Sequence, residues 1–129
     1  VLSLLETKGY VKRGFMNKEK FNEEQLDYLN KLLDERGLNV KWIGRQYLVN
    51  VVELVFFNSN LMLSFNTKVF PEVAKIYGTK DINVEKSVRN AILKSEYKKN
   101  NYTTTKMFVM DLVQKLKLFS LNGLAELTN

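Results

Sequence analysis

The sequence predicts an all-α protein, a compact multi-helix domain containing a helix-turn-helix and preceded by an N-terminal helical arm. Three observations lead there. Apolar residues recur at helical spacing through most of the 129 residues. One proline and six glycines supply too little turn chemistry for many strands. Apolar content of 45% beside 26% charged residues suits a folded domain with a real core.

Residues 1–15 form no clear element. Leu2, Leu4 and Leu5 offer only the start of a short helix, and the run is too brief for a signal sequence or membrane span. Met16, followed by Asn-Lys-Glu-Lys, reads as a natural start, with Lys12-Arg13-Gly14 before it fitting a translated ribosome-binding site.

Asn22 to Arg36 is the first helix. Asn22 suits the N-cap, Glu23 and Glu24 favour the first turn, and Gly37 ends it. Leu26, Leu29, Leu32 and Leu33, beside Tyr28, form a narrow seam that packs on the body or serves as a dimer contact. Residues 38–45 read as a connector with at most a brief extended piece.

Gln46 to Phe65 is the most apolar stretch. Asn50, Glu53, Asn58 and Asn60 interrupt it too often for a membrane helix, so it reads as a buried helix to about Phe57, a turn at 58–60 and a short second piece. This is the expected core.

The stretch Asn66–Lys99 carries the helix-turn-helix. Pro71 suits a first helical turn and Gly78 a left-handed helix end, and Asp81 can cap the next helix. Over 82–97, Val84, Val88, Ala91, Ile92 and Ser95 fall at i, i+4, i+7, i+8 and i+11, one apolar stripe. Opposite lie Asn83, Lys86, Arg89 and Asn90, with Glu85 on a flank. Asn, Lys and Arg on the free side of an anchored helix are donors suited to base edges. The same pattern also describes an ordinary helical hairpin with a solvated face. Lys98 to Asn101 is a polar break. Thr104 or Thr105 then caps a last helix to about Leu118, leaving an ambiguous tail.

Charge divides the chain into an extension, 1–40, and a helix-turn-helix domain, 41–129. The first carries seven basic and seven acidic residues; the second carries thirteen and seven, the whole net +6. A basic body points to a polyanionic partner. Sixteen lysines, four arginines and fourteen asparagines suggest an AT-rich coding genome.

The absence of cysteine and histidine removes disulfides, thiolates, the usual general base and the commonest zinc ligand. With no nucleophile–base pair, phosphate loop or metal-ligand spacing, no catalytic residue, cofactor or metal is expected, and an enzyme is not.

Thr67, Lys68, Pro71, Ala74, Lys75 and Tyr77, followed in register by Val84, Glu85, Lys86, Val88, Arg89, Ala91 and Ile92, carry a family likeness. The sequence over roughly 43–118 resembles the C-terminal DNA-binding effector domain of the sporulation initiation response regulator of endospore-forming Firmicutes. The resemblance implies an all-helical effector domain whose second hairpin helix, 82–97, enters the major groove. In that family, arginines and a glutamate of this helix face base edges in a short GC-containing box. Asn83, Glu85, Lys86, Arg89 and Asn90 are thereby candidates for base contact. Thr67, Lys68, Lys80, Lys94, Lys98 and Lys99 are candidates for phosphate contact.

Two departures change what carries over. Lys86 and Asn83 stand where the family has arginine. Lysine gives up the fork that grips guanine, and asparagine prefers adenine, so the recognised sequence should be poorer in G there. The family's long segment before the last helix is reduced to about Lys98–Thr103, so the resemblance does not carry promoter activation over. No receiver domain is expected within these residues.

The expected function is therefore sequence-specific binding of double-stranded DNA by a cytoplasmic transcription regulator, with a homodimer on DNA as an option and neither membrane nor small-molecule substrate as partner. A plasmid or phage origin or transfer-site binder, and a protein-interaction module modulating a full-length regulator, are the alternatives.

Overall fold

The computed structural model describes residues 19–128; the expectations for residues 1–15 and Met16 lie outside them. Six α-helices follow in order: α1 (Glu23–Glu35), α2 (Ile43–Phe57), α3 (Phe70–Tyr77), α4 (Asp81–Lys94), α5 (Glu96–Asn100) and α6 (Thr105–Thr128). No strand occurs among the described residues. The fold is all-α, as the sequence predicts.

α1 begins where the side-chain chemistry says it should. The Asn22 carboxamide accepts from the Gln25 N–H at 2.8 Å, and the Gln25 side chain accepts from the Asn22 N–H at 3.0 Å. This reciprocal cap satisfies two donors that a helix start leaves free. Leu29, Leu32 and Leu33 of its seam are buried in the common core, and Tyr28 stacks on Phe119 of α6 with centroids 4.3 Å apart. The seam thus packs on the body, while Leu26 stays partly open.

α2 is the central element. Leu48, Val51, Val52 and Val55 are buried, and the helix packs against both α4 and α6. It starts at Ile43, inside the expected connector. Gly44 and Arg45 look like loop residues in sequence, yet both are buried. Arg45 donates to Asp34 Oδ1 at 2.6 Å, to the Leu38 carbonyl at 2.7 Å and to Asn30 Oδ1 at 3.1 Å. Those partners make burial of its charge tolerable and tie α2 to α1.

Between α2 and α3 the chain keeps coiling irregularly, as a 3-10 turn over Ser59–Ser64 and a wide π turn over Phe65–Val69. Leu61, Phe65 and Val69 point into the core from it. Two boundaries further along also depart from the sequence reading. α4 stops at Lys94, not 97, because Ser95 turns extended (ψ 152°) and its hydroxyl is committed to the Ile92 carbonyl at 2.6 Å and the Lys98 N–H at 3.2 Å. The polar break 98–101 is for the most part the end of the short α5. α6 continues past Leu118 to Thr128, taking in the tail, and the Thr104 hydroxyl accepts the Met107 N–H at its start. No helix among the described residues is long and apolar enough to cross a membrane.

Candidate nucleic-acid interface

α3, the turn 78–80 and α4 form the helix-turn-helix. α3 opens with Pro71 in its first turn and ends on Gly78, whose φ of +66° is the left-handed conformation that closes a helix. The Thr79 N–H then bonds back to the Ala74 carbonyl at 3.0 Å. α4 begins one residue earlier than expected. Lys80 holds the N-cap position without a side-chain cap, so Asp81 lies inside the first turn, where its carboxylate accepts the Ile82 N–H at 2.8 Å. A carboxylate there still suits the positive helix end.

α4 is held by its back and at both ends. Val84, Val88, Ala91 and Ile92 are buried against α2 and α3. Tyr77, just before the turn, packs edge-on against Tyr47 at 4.8 Å and its hydroxyl accepts from Asn50 at 2.7 Å. At the far end the Lys94 ammonium sits 4.4 Å from the centre of the Trp42 ring, which fixes the close of α4 to the approach of α2.

The front of α4 is open. Asn83, Lys86, Arg89 and Asn90 are exposed, and Glu85 is half-buried on the flank. Arg89 is paired with Glu85 one turn earlier, so its guanidinium is held along the helix. Asn83 donates to the Thr79 hydroxyl at 3.0 Å, which orients its carboxamide beside the turn. Lys86 and Asn90 make no hydrogen bond or ion pair with any described residue.

The six residues read as phosphate ligands fall into two groups. Thr67, Lys68 and Lys80 are exposed on the N-terminal sides of α3 and α4. Lys94, Lys98 and Lys99 lie around the Ser95 break and already have partners. Beyond the Lys94–Trp42 contact, Lys98 Nζ donates to the Thr103 carbonyl at 2.9 Å and Lys99 pairs with Glu96 at 3.1 Å. Two further residues, Thr79 and Ile82, stand at the front of the motif and are not among those singled out from the sequence. A hydroxyl four residues before Asn83, and an isoleucine on the polar side of the wheel, were the available signals.

Residues 29–122 match the family model described as Sporulation initiation factor Spo0A C terminal.

Proposed function

The chain belongs to the Spo0A C-terminal family, whose members are DNA-binding effector domains of transcription regulators, and on that footing we propose that it binds double-stranded DNA sequence-specifically with α4 in the major groove. The observation that carries the reading is the division of α4: Val84, Val88, Ala91 and Ile92 anchor it, while Asn83, Lys86, Arg89 and Asn90 face outward. A major groove admits one helix, and each base pair presents its own donor and acceptor pattern there.

In this reading Asn83, Glu85, Lys86, Arg89 and Asn90 meet base edges. Glu85 accepts from a cytosine amino group or holds Arg89 for guanine, and Asn83 suits adenine. Thr67, Lys68 and Lys80 contact phosphates at the start of the motif, and Lys94, Lys98 and Lys99 add positive charge near its far end.

Selection of bound sequences from a random duplex pool, repeated at two salt concentrations, tests this. The expected outcome is an enriched box, with affinity falling by a log–log slope of about 0.9 per phosphate contacted. Two boxes at fixed spacing would show two copies on one site. A folded protein that enriches nothing overturns the reading.

A further inference from the structure

The polar front of α4 contains an isoleucine whose side chain takes no part in the core. Ile82 is the second residue of α4, is 50% exposed, and belongs neither to the core nor to the apolar residues packed against it. Ile82, Lys86, Arg89 and Leu93 stand at i, i+4, i+7 and i+11, one line along the outward side of the helix, within roughly 60° of each other at 100° per residue. A β-branched residue on a solvated helix is a poor choice for helix propensity. Its backbone is nonetheless well held: the Ile82 N–H is taken by the Asp81 carboxylate at 2.8 Å, and the next N–H, that of Asn83, by the Lys80 carbonyl at 3.0 Å.

We propose that Ile82 is a specificity-determining residue that packs on the 5-methyl group of a thymine in the recognised site, an inference that rests on the DNA-binding reading above. The first turn of a recognition helix is the part that reaches base edges. Among those edges in the major groove the thymine methyl is the apolar feature, and an aliphatic side chain is its natural contact. The stiff branched side chain offers two γ carbons in a preferred rotamer, so little freedom is lost on contact. Beside it, Asn83 supplies the carboxamide suited to adenine, so Ile82 and Asn83 together favour an A·T-containing step at this end of the box.

The test uses the full chain and a duplex bearing the selected box, with each thymine replaced in turn by deoxyuridine, which removes only the methyl. One position should weaken binding of the unaltered protein about three- to fivefold, the worth of one buried methyl. Ile82→Ala should bind the thymine duplex more weakly and show no loss at that position, whereas Ile82→Val should retain most of the sensitivity. Leu93→Ala, comparably exposed on the same line but roughly 16 Å along the helix, should keep it in full. Duplex binding with no uracil-sensitive thymine, or sensitivity that survives in Ile82→Ala, overturns this inference and leaves the DNA-binding reading standing. Loss of binding to every duplex by the unaltered, folded protein overturns both.

Discussion

Gly44, in the first turn of α2, lies directly against Ser87 in the middle of α4: a methyl group built on its Cα would stand 2.1 Å from the Ser87 carbonyl oxygen and 2.9 Å from the Ala91 methyl. The two helices therefore meet backbone to backbone, and α4 takes its position from that contact. Gly44→Ala must push α4 away from α2. Overpacking of this kind costs about 1–3 kcal/mol, and a lowered urea midpoint with an unchanged slope would show it. Because the displaced element is the one proposed to read DNA, the folded fraction should also discriminate less well between sequences.

Gly78 makes the useful contrast. Its φ is +66° and a Cβ there would meet nothing within 4 Å, so the cost of a side chain is conformational alone. Gly78→Ala should cost about 1–2 kcal/mol, and Gly78→Asn less, since asparagine visits the left-handed region more readily. Equal losses for alanine and asparagine in thermal unfolding would show that φ is not what fixes glycine there.

Arg36 makes a third test, now of buried charge. Its side chain is buried, it is ion-paired to Asp111 of α6, and its guanidinium lies 4.2 Å from the Tyr97 ring centre and 4.9 Å from that of Phe108. One guanidinium nitrogen, Nη1, has no partner among the described residues. Asp111→Ala strands this cation. The loss should be about 2–3 kcal/mol, below that of a fully buried pair because the carboxylate is partly open to solvent. Arg36→Met keeps the stem's packing against the rings and removes the charge to be stranded, so it should be the milder change in urea unfolding.

Much of this architecture was legible in the sequence, for physical reasons that can be named. α1 and the buried side of α4 follow from caps and from apolar spacing, which are local properties. The start of α2 does not, because Gly44 is justified only by a close approach to Ser87 and Arg45 only by Asp34, Asn30 and Leu38. Ser95 fits an apolar stripe as a small buried residue, yet its hydroxyl satisfies the Ile92 carbonyl and ends the helix. Of the proposed interface, the outward set Asn83, Lys86, Arg89 and Asn90 was legible from the wheel. Ile82 lies on the same wheel, but a single exposed apolar residue is ordinary on a protein surface, so its place there does not by itself mark a contact.

The Glu85–Arg89 pair separates stability from recognition. It is an i,i+4 pair with Arg89 about half exposed, so Glu85→Ala should change stability by only about 0.3–0.5 kcal/mol. On DNA the same change removes a negative charge and the group that holds Arg89 in place. Affinity for arbitrary duplexes should rise and become steeper in salt, while the ratio between the selected box and a scrambled one falls. Titrations of both duplexes at two salt concentrations would measure it. A fall in both affinities with no change in their ratio would show that Glu85 does not orient Arg89 for recognition.

Lys86 and Lys80 carry the same charge and should behave differently. Lys86 projects from the middle of the outward line of α4, whereas Lys80 sits at its N-cap, on the side where the chain enters the helix. Lys86→Ala should relax preference at one base step by about 1–3 kcal/mol. Lys80→Ala should weaken every duplex alike and lower the salt slope by about 0.9. Lys98→Ala is a less clean probe of phosphate contact, because Lys98 Nζ also donates to the Thr103 carbonyl at 2.9 Å and lies 5.3 Å from the Tyr102 ring. Its loss should therefore cost about 0.5–1.5 kcal/mol of stability that Lys80→Ala does not. If Lys86→Ala and Lys80→Ala lower affinity equally for every sequence and flatten the salt dependence equally, Lys86 meets phosphate rather than a base, and reading of the sequence falls to Asn83, Arg89 and their neighbours.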